Sequence, residues 1–451
     1  MAPGLSSPGR RFRAYTAKHL DDLTARAGLD ASERLAVRAV ATVLPFRTNE
    51  YVIERLIDWD AAPDDPIYRL VFPQADMLPA ADVSEIAGLL ARDAPEAEIR
   101  SVAHAVRTRL NPHPAGQLAL NIPDLADEPL PGVQHKYAET VLVFPKQGQT
   151  CHAYCTYCFR WAQFVDEPDL KMATDDMTRV TAYLREHPEV TSILITGGDP
   201  MIMSAAVLRR YIEPMLDPQL GHIESIRIGT KALGYWPQRF VSDPDADDTL
   251  RLFEEVVAAG KSLAVMAHFS HPRELESSLV DDAVRRIRSV GAVIRTQAPL
   301  IRSINDDPAI WARMWRAQMR MGMVPYYMFV ERDTGPQGYF AVPLARGHEI
   351  FRDAYSSVSG LCRTVRGPSM SATPGKVCID GVVEVAGEKV FALHMIQARN
   401  PDLVGRPFFA RFDPTAIWLS DLEPAFAPRF PFESEPASVP GPWAAEALAL
   451  S

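Results

Sequence analysis

Apolar residues recur at three- and four-residue intervals through residues 81–92 and 95–110, a spacing that lines them along one helix face and predicts a helical N-terminal region. Strand signals are sparse before residue 135. Between Asn111 and Gly132 prolines repeatedly deny the backbone its donors, so this stretch reads as a linker or wrapping segment. From Thr140 the rhythm changes. Short β-rich runs at 140–144, 192–196, 225–229, 262–267, 293–297 and 324–329 alternate with amphipathic stretches that predict helices near 174–187, 247–260, 279–290 and 308–322. Parallel strands joined by crossover helices give this pattern, and six repeats predict an α/β fold: a partial (β/α)6 TIM-like barrel, open on one side. After about residue 345 the pattern loosens into a helix following Pro343, a Gly/Ser/Pro-rich loop at 367–375, a hairpin around 380–393 and a proline-rich tail. The chain therefore divides into a helical region with linker (1–135), a barrel (136–345) and an irregular C-terminal extension (346–451).

Charge narrows the functional classes. Acidic side chains number 57 against 47 basic ones, for a net charge of -10, and such a surface repels nucleic acid backbones. No apolar run approaches the ~18 residues that a membrane span requires. The basic start, MAPGLSSPGRRFRAY, is not followed by the apolar stretch of a secretion signal. These features lead to the expectation of a cytoplasmic protein without nucleic acid or membrane partners.

Five cysteines are too few for a disulfide framework, and three of them crowd into Cys151-His-Ala-Tyr-Cys155-Thr-Tyr-Cys158. That grouping points to metal in a reducing compartment. The segment follows the first predicted strand, at the barrel end where such folds carry their chemistry. Three thiolates on one loop can ligate three irons of a [4Fe-4S] cluster and leave the fourth open to the amino and carboxylate groups of S-adenosylmethionine. Structural zinc normally takes four ligands; His152 is a nearby candidate, but no second cysteine pair stands at finger spacing. An electron-transfer ferredoxin needs a fourth cysteine, and Cys362 and Cys378 lie far downstream, reading as small buried side chains. Tyr157 stands where a flat side chain would rest against the cofactor. One strand later, Gly197-Gly198-Asp199-Pro200 forms a turn whose glycines let backbone approach a ligand closely.

Taken together, CHAYCTYCFR, LITGGDP, RIGTKALGYWPQRF, AHFSHPRE, RTQAPLIRSIND and VPYYMF resemble, in order and spacing, the lysine 2,3-aminomutase family of radical S-adenosylmethionine enzymes, from about Gly132 to Gly381. The resemblance implies roles residue by residue. Cys151, Cys155 and Cys158 would hold the cluster, Gly197, Gly198 and Asp199 would receive the methionyl amino group, and His268 and Gln297 would contact the same cofactor. Arg160 would pair with a substrate carboxylate, a task suited to a planar guanidinium. It also implies a one-electron reductant such as a flavodoxin or ferredoxin, a small-molecule substrate and a homo-oligomer.

Two departures from the family pattern bear on the reaction. Family members hold pyridoxal phosphate through a lysine ending a PGGGGK loop, whereas here Pro368-Ser-Met-Ser-Ala-Thr-Pro-Gly-Lys376 puts Thr373 at the lysine's place and Lys376 three residues on. Upstream, the family's pair of basic phosphate contacts falls on Lys136 and Thr140, with Tyr137 kept. Lys376 is thus either a displaced pyridoxal phosphate lysine or a solvated charge beside a turn. The aspartates that hold the distal ammonium of lysine correspond to Arg332 and Arg366, which would repel a cation and attract an anion. The sequence thus leads to an aminomutase-type 1,2-rearrangement on a substrate with an anionic distal group. A pyridoxal-phosphate-independent radical enzyme performing epimerisation, dehydrogenation or fragmentation, and a non-catalytic Fe–S scaffold or electron carrier, stand as alternatives.

Overall fold

In the strand Ser225–Thr230, Ile226 and Ile228 are buried while Ser225, Arg227 and Gly229 keep partial solvent contact. This two-residue alternation packs one sheet face against helices and turns the other toward a hollow. The computed structural model describes residues 12–433; most of the basic start and the last part of the proline-rich tail, 434–451, lie outside the described residues. The main sheet has eleven strands, each bonded to its neighbours in chain order: β1 Val133–Tyr137, β2 Thr140–Val143, β3 Ser192–Ile195, β4 Ser225–Thr230, β5 Ser262–His268, β6 Val293–Leu300, β7 Val324–Val330, β8 Arg366–Ser371, β9 Gly375–Val385, β10 Glu388–Ala398 and β11 Pro407–Arg411. Strand β1 runs antiparallel to β2. From β2 to β8 all pairings are parallel, and β8 to β11 turn back antiparallel.

Helices Met177–Glu186, Ala205–Ile212, Ala246–Ala258, Ser278–Ser289, Pro308–Arg320 and Leu344–Ser356 make the six crossovers. Six β/α units followed by a seventh parallel strand form the partial barrel. Its ladder is open, since among the described residues β1 and β11 do not pair. Side chains bridge the gap instead. Lys136 of β1 donates to the Ala372 carbonyl just past β8, and Gln397 of β10 donates to Glu139 Oε1 at 2.6 Å.

The 367–375 stretch is a correction to the sequence reading, because most of it is strand β8, not loop. Gly and Ser ordinarily mark turns, but here they are selected by close packing: a Cβ on Gly367, which sits at φ +145°, would collide with the Met328 carbonyl of β7. Ser369 and Met370 are fully buried. Helix Ala205–Ile212, too short to give a clear periodic signal, was likewise not expected.

The N-terminal helices Ala80–Ala91 and Glu96–Arg109 fall where expected, and the proline-rich 111–132 segment holds a single 3-10 turn, Pro114–Gly116, and a short two-stranded ribbon, Asp124–Leu125 with Glu128–Pro129. Apolar residues of the N-terminal region share one core with Ala153, Tyr157, Trp161 and Ala162 of the cysteine segment and with Tyr235 and Trp236 after β4. Burying a side chain such as Trp161 contributes roughly 2–3 kcal/mol, so this core clamps the cysteine loop as well as the helices. A second core fills the space between sheet and crossover helices, and a third lies under β8–β11. Among the described residues no helix is long and apolar enough to cross a membrane.

Candidate active site

The loop after β2 carries the three cysteines, none of them in a disulfide. Its backbone is tied to the N-terminal region: Tyr154 N–H donates to Arg47 O at 2.8 Å, Thr156 N–H to Leu70 O at 2.9 Å, and Asn49 Nδ2 to the carbonyls of His152 and Tyr235, both at 3.1 Å. A turn closes between Cys158 N–H and Cys155 O at 3.1 Å. Burial, then Asp199, then each other's charge push the Cys151 thiol well above its ordinary range, and burial followed by Cys155 pushes Cys158 up to about 12. Three thiols that hinder one another's ionisation at one spot form a donor set that a polycationic iron cluster would satisfy, and the residues fit that group.

Facing this loop, the Gly197–Gly198 turn is shaped by the chain itself. A Cβ on Gly198 would come within 2.5 Å of the Thr150 backbone and 2.6 Å of Gly148 O, and Asp199 N–H donates to Thr150 O at 2.7 Å. The glycines thus let the turn press against the residues that lead into Cys151. Asp199 is buried, its carboxylate accepting from Thr230 Oγ1 at 2.7 Å, Lys231 N–H at 2.9 Å and Met201 N–H at 2.9 Å. Across the mouth, the Tyr157 hydroxyl bonds His268 Nε2 at 2.7 Å and Ser270 Oγ at 2.8 Å. Burial, reinforced by Lys231, holds His268 well below its ordinary pKa, so it is neutral. Gln297 sits directly beside His268 in the β5–β6 register.

Deeper in, the barrel hollow is lined by cations with few acidic partners. Arg160 Nη1, Arg227 Nε and Nη2, and Arg332 Nε and Nη2 are buried without a hydrogen-bond partner among the described residues. Arg332 Nε stands 3.9 Å from Asp333 Oδ1, beyond hydrogen-bond length. The Phe159 ring lies beside both Arg160 and Arg332, with guanidinium carbons 4.8 and 5.1 Å from its centroid. Burial, then Arg399, Arg332 and Lys376 together, drive Lys136 well below its ordinary pKa. Lys376 Nζ lies 4.3 Å from the Tyr327 ring centroid and donates to Gln397 Oε1 at 3.2 Å. Burial, then Arg227 and Arg366, bring Lys376 down to about 7. Arg366 stacks on Tyr326 and Tyr327 at 4.3 and 4.4 Å. Burying guanidinium groups without hydrogen-bond partners is costly, and an anion in such a hollow would offset that cost.

Relatives bear on the same residues. No family model matches the chain. It is 30% identical over 405 residues to the Aquifex aeolicus (strain VF5) protein named "Putative L-lysine 2,3-aminomutase", covering 90% of this chain and 94% of that one. The chain belongs to the lysine 2,3-aminomutase family of radical S-adenosylmethionine enzymes. It is also 24% identical over 361 residues to the L-lysine 2,3-aminomutase of Escherichia coli (strain K12), covering 80% and 91% of the two chains. Among solved structures it is similar, at a TM-score of 0.37 and 15% identity, to a radical SAM methyltransferase from Sphaerobacter thermophilus, over 66% of this chain and 94% of that one. A [4Fe-4S] cluster and S-adenosylmethionine are the cofactors of this radical SAM enzyme.

Against that family the lysine question takes a structural form. Thr373, at the family lysine's place by count, is exposed in the turn between β8 and β9. Lys376 reaches the hollow, so the reading of it as a solvated charge is corrected: the strand direction of β9 carries it under Tyr327. Lys136, Tyr137, Arg332, Arg366 and Lys376 share the hollow, with Arg160 between them and the cysteine loop. Arg227 was missed by sequence reasoning. Its signal was the alternation in Ser-Ile-Arg-Ile-Gly, which sets it opposite the buried Ile226 and Ile228. Asn49, which pins the cysteine loop from 103 residues upstream, left no local signal.

Proposed function

We propose that this chain is a radical aminomutase whose substrate is an amino acid with an anionic distal group, with pyridoxal phosphate held through Lys376. When bound, the cluster supplies the electron that splits S-adenosylmethionine into methionine and a hydrogen-abstracting 5′-deoxyadenosyl radical. Cys151, Cys155 and Cys158 hold the irons as thiolates. Tyr157, His268 and Gln297 bind S-adenosylmethionine at the mouth, and the backbone of Gly197 and Gly198 takes its amino group, the Asp199 carboxylate being already engaged by three donors of the chain. Arg160 binds the α-carboxylate and so fixes which carbon faces the radical.

Pyridoxal phosphate, when bound, supplies the aldehyde that carries the migrating amino group. Lys376 is the residue to hold it, because an amine brought down to about 7 is substantially unprotonated at neutral pH. Lys136 and Tyr137 lie where a phosphate would offset the mutual repulsion of Lys136, Arg399 and Arg332. Arg332 and Arg366 bind the distal anion, Arg332 with two nitrogens, Nε and Nη2, that have no hydrogen-bond partner among the described residues. The observation that carries the reading is the enclosure of Lys376 among Arg227, Arg366 and the Tyr327 ring.

Its test is anaerobic reconstitution with pyridoxal phosphate. The wild-type protein is expected to show the visible band of a lysine-bound cofactor and to convert an acidic amino acid to its β-isomer, and Lys376→Ala to lose both. Turnover by a protein with cluster absorbance alone would replace this reading with pyridoxal-phosphate-independent chemistry.

A further inference from the structure

At the far end of the sheet from the cysteine loop, beside Arg366 at the start of β8, three side chains with metal-binding atoms meet. Cys378 of β9 is paired in register with His394 of β10, and Asp380 follows two residues after Cys378. One sulfur, one carboxylate oxygen and one imidazole nitrogen from these residues all lie within 4.8 Å of one another. Cys378 is buried, His394 is half-buried and Asp380 is exposed, and all three line a cavity of about 460 Å³ that also borders Phe351, Tyr355 and Arg366. We propose that Cys378, Asp380 and His394 form a second metal centre, separate from the iron cluster, that binds zinc with three protein ligands and one position open to the cavity.

The donor set fits that cation. Thiolate, imidazole and carboxylate together suit a borderline-soft divalent ion, and three protein ligands with one open position are a recurring zinc arrangement. A tetrahedral zinc with ligands at ~2.0–2.3 Å needs its donors roughly 3.3–3.7 Å apart, within reach of small side-chain rotations here. The Asp380 Oδ2 to His394 Nδ1 hydrogen bond, 2.7 Å, would open as the metal replaces its proton. Charge balance also holds: one thiolate and one carboxylate neutralise the dication, so the Arg366 guanidinium on the cavity wall meets a neutral complex. An Asp–His ion pair by itself accounts for two of the residues and core burial for the thiol, but neither requires the sulfur to stand directly across from His394. Zinc would also cross-link β9 to β10 beside the irregularity between Ile379 and Gly381, through Cys378, two residues from Lys376.

The experiment uses the cluster-loaded protein, so that iron already occupies Cys151, Cys155 and Cys158. It is incubated with zinc chloride, exchanged into chelator-containing buffer and measured for metal content and zinc X-ray absorption. One zinc per chain is expected, with one sulfur and three nitrogen or oxygen neighbours, lost in Cys378→Ala and His394→Ala while iron content is unchanged. No retained zinc, equal retention by both variants, or a shell of three or more sulfurs would each overturn the proposal. Should the alanine variants not fold, the wild-type zinc shell together with Asp380→Asn, which keeps the side chain's shape and is expected to weaken retention, decides it.

Discussion

At the scale of single residues, the site is governed by how closely buried positive charges crowd one another. Lys376 is the sharpest case. Its ammonium is disfavoured first by burial and then by Arg227 and Arg366, so the amine is neutral above about 7 and protonated below. Pyridoxal phosphate uptake should therefore rise through pH 6 to 8 and level off, a course that absorbance titration would follow; an ordinary lysine would still be gaining above pH 9. Arg332→Asp should lower kcat/KM for an acidic amino acid by roughly 3 kcal/mol, on the order of 100-fold, because it removes a buried charge pair. Steady-state kinetics would show it, and an unchanged value would remove Arg332 from the substrate's contacts. The grouping of Cys151, Cys155 and Cys158 was legible in the sequence because the three sit within eight residues of one another, whereas a role for Arg160 is what the family resemblance implies. Arg227 was harder to see, since its role depends on which strand face turns inward.

At the scale of elements, the cysteine loop is shaped by what packs on it from both sides. The N-terminal region holds it through Asn49, and the turn after β3 presses on it through Gly198. Asn49→Ala leaves two buried carbonyls without that donor and should cost about 1–3 kcal/mol, measurable as a lower unfolding midpoint of the cluster-loaded protein. Gly198→Ala should cut bound iron, because its Cβ has no room beside the Thr150 backbone. Iron and sulfide analysis checks this, and full occupancy would contradict the packing. The six strands β2 to β7 were legible because their apolar runs are flanked by amphipathic helices of ten or more residues in most crossovers. Strand β8 was not, because Gly367, Pro368 and Ser369 are chosen for closeness to β7 and carry no hydrophobic signal of their own.

At the scale of the whole molecule, the open ladder is brought round until its first strand meets the turn after its eighth. Lys136 with Ala372, and Glu139 with Gln397, close by side chains what the backbone leaves open. That curvature gathers residues from positions 136 to 399 around one hollow, and sequence spacing alone could not give their distances. The cysteine loop follows β2, and the Cys378, Asp380 and His394 group lies on β9 and β10. On the proposed function, the three thiolates of the cysteine loop hold a cluster that opens S-adenosylmethionine to one-electron cleavage. Anaerobic incubation of the reduced protein with S-adenosylmethionine and acidic amino acids, followed by quantification of 5′-deoxyadenosine, tests it most directly. The wild type is expected to release 5′-deoxyadenosine, and Cys151→Ala, Cys155→Ala and Cys158→Ala to release none; 5′-deoxyadenosine from any of these variants, or none from a wild type carrying four irons, would mean that the three thiolates do not hold such a cluster.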